Sequence, residues 1–201
     1  MKDNTAKLNE LFSKVQSCDS CVLCKTRTKT VFSDGCELAP VMFIGEAPGK
    51  NEDETGIPFI GRAGQLLRKF LYDTGYGQND FYIANTVKCR PPENRKPSNQ
   101  EKEACYGYLE KQIELVNPKI IVLVGSTAME SFIKEKTTIT KARGKIFEAE
   151  AAGKLRKFFP IFHPSYLLRY HSVEAGSPRY LFKQDLITVR NIVSGQNKDE
   201  S

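Results

Sequence analysis

"VMFIGEAPGKNEDETGIPFIGRAGQLL", residues 41–67, runs through three patterns whose order decides the fold. "VMFIG" is a short, β-rich apolar run that stops where glycine and polar residues begin, as a strand buried on both faces does. A loop follows that, counted from Gly45, holds five glycines and two prolines. Leu66, Leu67, Phe70 and Leu71 then share one face of a helix. A doubly buried strand passing directly into a helix calls for parallel neighbours, and three further runs supply them: "FYIAN" (81–85), "KIIVLVG" (119–125) and "RKFFPIF" (156–162). Between the second and third runs, Cys105, Leu109, Ile113 and Val116 line one helical face. The spacing predicts an opening helix over 5–16, with Leu8, Leu11, Phe12 and Val15 on one side, and a closing helix over 178–193 built on Phe182, Leu186, Val189 and Val193. A hairpin-like strand is expected near "GKIFEAE". Strand alternating with helix predicts an α/β fold with a mostly parallel sheet and crossover helices. One domain over 1–194 with a frayed tail over 195–201 is expected.

Composition narrows the function classes. The 201 residues carry a formal charge of +6, which suits a polyanionic partner. The N-terminus lacks the apolar run of a signal peptide, and no stretch reaches the length of a membrane span, so a cytoplasmic, membrane-free protein is expected. Six cysteines in that compartment argue for metal ligation or plain burial rather than disulfides. Cys18 and Cys21 have CxxC spacing, Cys24 extends it, and Cys89, Cys105 and Cys36 lie further on. Spacing alone leaves open a tetrahedral metal, a four-thiolate iron-sulfur cluster, or cysteines that fill core positions.

In open α/β sheets, ligands bind beyond the carboxyl ends of the strands. That rule selects "GEAPGKNED", "NTVKC", "GSTA" and "HPSYLLR" as loops that converge on one crevice. The first contains neither a Walker loop nor a dinucleotide fingerprint, which disfavours a nucleotide hydrolase. Its acidic residues Glu46, Glu52, Asp53 and Glu54 also fit a solvated rim, and Phe59 a packing anchor. The last places His163 at a strand end, ahead of a helix-fixing proline and an exposed Tyr-Leu-Leu; His171 is the other histidine.

Taken together, "GEAPGKNEDETGIPFIGRAGQLL", "NTVKCRPPENRKP", the spaced cysteines and "HPSYLLR" resemble the iron-sulfur uracil-DNA glycosylases of family 4, in order from about residue 10 to residue 190. The resemblance implies a three-layer αβα sandwich, a [4Fe-4S] cluster on Cys18, Cys21, Cys89 and Cys105 with Cys24 and Cys36 outside the ligand set, and hydrolytic excision of uracil from DNA. It implies stacking of the flipped base on Phe59, reading of its edge by Asn85, and a hydrogen bond from neutral His163 to uracil O2. Ala47 stands where better-known uracil glycosylases have a water-activating aspartate, and Gly49 where they have a thymine-blocking tyrosine. Glu46, or the later Glu52, is then expected to serve the water. Gly125, Ser126 and Ser165 match phosphate contacts and Leu167 a wedge leucine, while Lys88, Arg90, Arg95, Lys96, Arg143 and Arg169 offer positive surface. The implied partner is uracil-containing DNA, single- or double-stranded, bound by a monomer, with a sliding clamp as a further candidate. Rival readings are an iron-sulfur glycosylase for another deaminated base, a relative that becomes trapped on DNA, whose histidine-bearing basic insertion "VKCRPPENRKP" lacks, and a noncatalytic DNA-binding or redox module.

Overall fold

The computed structural model describes residues 2–195; of the tail expected over 195–201, residues 196–201 lie outside them. The chain opens with α1 (Lys2–Gln16), a two-residue strand β1 (Asp34–Gly35) and β2 (Val41–Gly45). It continues through α2 (Lys50–Thr55), α3 (Arg62–Asp73), β3 (Phe81–Asn85), α4 (Asn99–Val116) and β4 (Ile120–Val124). The last third contains α5 (Ser126–Phe132), α6 (Ile139–Ala142), β5 (Phe147–Ala151), β6 (Lys154–Ile161), the single turn α7 (Pro164–Leu167) and α8 (Pro178–Ser194).

The six strands form one sheet in the order β1-β3-β2-β4-β6-β5. The inner four run parallel, and β1 and β5 pair antiparallel at the two edges. Alternation along the strands separates two cores. Met42, Ile44, Tyr82, Ala84, Ile121 and Leu123 face α1, α4 and α5. Val41, Phe43, Phe81, Ile83, Val122 and Phe159 face α3 and α8. The result is a three-layer αβα sandwich, as expected.

Helix ends follow local chemistry. Ser98 caps α4 by accepting from the Glu101 amide at 3.2 Å, while the Glu101 carboxylate accepts from the Ser98 amide at 2.7 Å. This reciprocal pair satisfies two donors that a helix start leaves free. Ser177 caps α8, which ends in a left-handed Gly195. Among the described residues, no helix is long and apolar enough to cross a membrane.

Topology locates the crevice. The chain leaves β2 for β3 on one side, then returns across β2 to reach β4 on the other. The segments after β2 and β4 therefore diverge, opening a gap at the carboxyl ends of the strands.

Candidate active site

A cleft of 410 Å³ occupies that gap. Its walls come from four segments: Glu46, Ala47, Pro48 and Gly49 after β2; Pro91, Asn94 and Arg95 after β3; Gly125 and Ser126 after β4; His163 and Ser165 after β6. Gly125 has φ +90°, and a Cβ there would lie 2.9 Å from His163 Cβ, so only glycine lets the end of β4 run this close to the histidine. Arg95 is held in place by Glu101, which accepts both guanidinium branches at 2.6 and 2.8 Å. Arg95 also holds the Glu101 carboxyl down to about 2. A second, 490 Å³ hollow lies by β1 and the amino end of β3, on the far side of the sheet's strand ends from this chemistry.

Asn85 ends β3, is 2% exposed, and its Oδ1 has no hydrogen-bond partner. A buried acceptor left unpaired costs about 1–3 kcal/mol and points to a missing ligand. Asn85 sits opposite Gly45 in the β2–β3 register. A Cβ on Gly45 would lie 2.4 Å from Phe59 Cζ and 2.5 Å from Asn85 Oδ1, so the aromatic ring and the amide come together over the bare backbone of Gly45. Phe59 has φ +53°, an uncommon conformation for a side chain of its size. Its surroundings enforce it. Arg68 donates to the Phe59 carbonyl at 3.0 Å and to the Pro58 carbonyl at 2.9 Å, while the Ile60 and Gly61 amides donate to the Glu52 carboxylate at 3.0 and 2.7 Å. Strain of this kind persists where neighbours over-determine it.

The His163 ring centroid lies 6.1 Å from that of Phe59. Its Nδ1 contacts Ser165 Oγ at 2.7 Å and accepts from the Ser165 amide at 3.2 Å. A backbone N–H can only donate, so Nδ1 is an acceptor and the ring proton sits on Nε2. Burial pushes the imidazole down to about 4, keeping it neutral at physiological pH.

Below the opposite side of the loop after β3 lies a cavity lined by Cys18, Cys21, Cys24, Cys89 and Cys105 with Arg27, Lys88 and Tyr108. Cys18 follows α1, Cys21 begins a short 3-10 turn (Val22–Lys25), Cys89 follows β3, and Cys105 lies on α4. Two thiols receive donors: Arg27 Nη1 to Cys89 Sγ at 3.2 Å and the Lys88 amide to Cys105 Sγ at 3.3 Å. Burial pushes the Cys89 thiol up to about 11, against the pull of Arg27. Among the described residues, no three His, Cys, Asp or Glu side chains gather closely enough to hold a single metal ion. Cys36 lies elsewhere, its amide bonded to the Phe81 carbonyl at the opposite end of β3.

The profile of the uracil DNA glycosylase superfamily matches residues 32–187. A type-4 uracil-DNA glycosylase of Thermotoga maritima is 46% identical over 170 residues, covering 84% of this chain and 87% of the relative. One from Archaeoglobus fulgidus is 42% identical, covering 80% and 83%, and one from Sulfurisphaera tokodaii 40% identical, covering 79% and 74%. The chain belongs to the type-4 uracil-DNA glycosylases. It is a DNA repair glycosylase.

The cleft brings together Glu46, Ala47, Gly125, Ser126, His163 and Ser165; Phe59 neighbours the His163 ring, and Asn85 meets Phe59 over Gly45. Four expectations are corrected, at Leu167, Glu52, Lys88 and Arg143. Leu167 is not on an exposed loop: α7 turns it into the core against α3 and α8, where its exposure is 0%, and a side chain already packed there is not free to enter a base stack. Glu52 does not stand ready for water: its carboxylate accepts from the Gly49, Ile60 and Gly61 amides and clamps the loop carrying Phe59. Lys88 is not positive surface: it is 1% exposed, and burial pushes its ammonium down to about 8. Arg143 likewise turns inward to Asp185, whereas Lys96 and Arg169 are exposed. Cys24, outside the family's ligand positions, shares the cavity with the other four thiols. The sequence reading missed Pro91 and Asn94 as a cleft wall, Gly45 as the gap for Phe59 and Asn85, and Arg68 as a clamp. The S-x-x-E pattern at Ser98–Glu101 was the available signal for the first of these, because it fixes where α4 starts and thus how far the preceding loop reaches.

Proposed function

We propose that the glycosylase takes a flipped uracil into the cleft between the ends of β2 and β4 and hydrolyses its N-glycosidic bond, leaving an abasic site. The observation that carries this reading is the orphaned amide oxygen of Asn85, buried beside Phe59, whose ring in turn neighbours a neutral histidine. A side-chain amide offers uracil a donor for O4 and an acceptor for N3–H; cytosine presents the reverse pattern and leaves buried polar groups unpaired. Phe59 supplies the flat apolar face. As the bond breaks, negative charge develops on the base, and the Nε2–H of His163 donates to O2 without protonating the leaving group. Glu46, on the cleft wall, is the carboxylate left to orient the water now that Glu52 is engaged with backbone amides. Ser126 and Ser165 at the cleft wall, with the Gly125–Ser126 turn, meet phosphates, and Arg169 adds charge outside. All four loops come from one chain, which supports a monomer acting on paired or unpaired DNA.

Cys18, Cys21, Cys89 and Cys105 form a fitting donor set for a 4Fe-4S cluster: four thiols line one cavity and two already accept hydrogen bonds. When bound, such a cluster supplies a four-point link between the segment after α1 and the segments carrying Cys89 and Cys105, together with one-electron redox capacity.

Two measurements test the proposal. Anaerobically purified protein should release free uracil from an oligonucleotide with one uracil and contain about four irons per chain, with broad absorption near 400 nm. Stoichiometric zinc would reject the cluster. Cys36→Ser should retain the iron and Cys89→Ser should lose it.

A further inference from the structure

Lys88 is a buried cation with no task in the chemistry above. Its Nζ donates to the main-chain carbonyl of Asn85 at 2.8 Å, and its own amide donates to Cys105 Sγ at 3.3 Å. Its carbonyl accepts from the Val31 amide at 2.8 Å, and its side chain lines the cysteine cavity. Among the described residues, no carboxylate lies within ion-pair distance of it. An ammonium buried without a carboxylate is costly and persists where its hydrogen bonds and nearby anionic groups hold it. The position explains what it holds. β1 pairs with β3 only through Tyr82 and Ile83, so beyond Ile83 that edge of β3 has no strand neighbour. Asn85, two residues further on, has its carbonyl secured by Lys88 instead.

We propose that Lys88 is a positioning residue that ties the main chain of the base-reading Asn85 to the cysteine-lined cavity. It fixes the strand end from which the Asn85 amide projects, so the cavity and the base pocket share one rigid connection. The inference rests on the reading of Asn85 given above, and it extends that reading by naming what holds the reader in register. The charged donor faces a carbonyl rather than the ligand, so it acts through Asn85 and does not touch uracil itself.

Binding tests this without turnover. The probes are a duplex carrying 2′-fluoro-2′-deoxyuridine, which resists hydrolysis, and the same duplex with a tetrahydrofuran abasic site. Lys88→Met fills similar volume but removes the donor. It should retain iron and weaken the fluorouridine complex by roughly ten- to a hundredfold, the range for a lost hydrogen bond to a charged group, while leaving abasic binding unchanged. Wild-type affinity for both probes, or equal loss on both, would overturn the tether. Asn85→Ala, run in parallel, separates the two levels: if it too leaves fluorouridine affinity unchanged, the reader assignment fails, whereas silence in Lys88→Met alone removes only the tether. Should Lys88→Met fail to fold or to load iron, wild-type protein with 15N-labelled lysine decides. The Lys88 ammonium should exchange slowly with water and shift on binding fluorouridine DNA but not abasic DNA. A rapidly exchanging signal, or one that moves identically with both probes, would overturn the proposal.

Discussion

Adding a single methyl group at Gly45 should separate folding from base reading. In Gly45→Ala the new Cβ would sit 2.4 Å from Phe59 Cζ, 2.6 Å from Phe59 Cε2 and 2.5 Å from Asn85 Oδ1. Carbon contacts settle at about 3.5–4.0 Å, so the ring and the amide must each withdraw by roughly 1 Å. Neither is free to do so cheaply: Phe59 is clamped by Arg68 and Glu52, and Asn85 lies in register with Gly45 itself. Overpacking of this kind costs about 1–3 kcal/mol of stability, which for a chain of this size lowers the melting temperature by roughly 2–12 °C. The catalytic cost should be larger, because a displacement of about 1 Å at a reacting site is worth on the order of a hundredfold in rate. Rapid-quench single-turnover release of uracil measures the second quantity and thermal unfolding the first, while affinity for abasic DNA reports whether the phosphate contacts survive. A single-turnover rate within threefold of wild type would refute the claim that Phe59 and Asn85 together shape the base pocket.

Other substitutions follow from the corrected placements. Leu167→Ala should behave as a core truncation, costing about 2–5 kcal/mol in denaturant unfolding, with the same modest change in rate on single- and double-stranded substrates; a defect confined to duplex DNA would restore the wedge. Glu52→Ala releases three backbone amides and should slow uracil release at every pH by loosening Phe59; loss of an acidic pH limb alone would instead make Glu52 the water's base. The His163 imidazole, held to about 4 by burial, should leave the rate free of a histidine titration between pH 5 and 8. Because its folded value lies below the unfolded value near 6.5, the unfolded chain binds the extra proton, so stability should fall as pH drops from about 6.5 towards 4. His163→Ala should cost on the order of 100- to 1,000-fold in single-turnover rate, and a residual rate near wild type would remove it from the chemistry.

What the sequence reveals, and what it hides, has a physical pattern. The four inner strands are legible because burial on both faces writes continuous apolar runs, and the order of their loops then places the crevice. β1 is illegible because two residues have no period. "HPSYLLR" contains adjacent leucines, and only the turn of α7 shows that Leu167 faces inward. The acidic run "NEDE" looks like a solvated rim; Glu52 and Asp53 are instead buried, held by the Ile60 and Gly61 amides and by the Thr28 amide, which only the folded chain brings to them. Lys88 reads as surface by residue type, and its burial comes from α4 and the cysteine segment closing over the end of β3. For Cys24, the CxxCxxC spacing and the shared cavity point the same way, while the family's ligand set excludes it.

The most direct test of the whole account is single-turnover release of free base by wild type and Asn85→Asp, from otherwise identical duplexes carrying uracil, thymine or cytosine at one position. A carboxylate loses the amide donor to O4. Wild type should release uracil and not cytosine, and Asn85→Asp should lose uracil release by roughly tenfold or more, as expected for a disrupted buried hydrogen bond of about 1–3 kcal/mol. Unchanged uracil release by Asn85→Asp would contradict the account, because the orphaned amide at the end of β3 would then not be the group that reads the base.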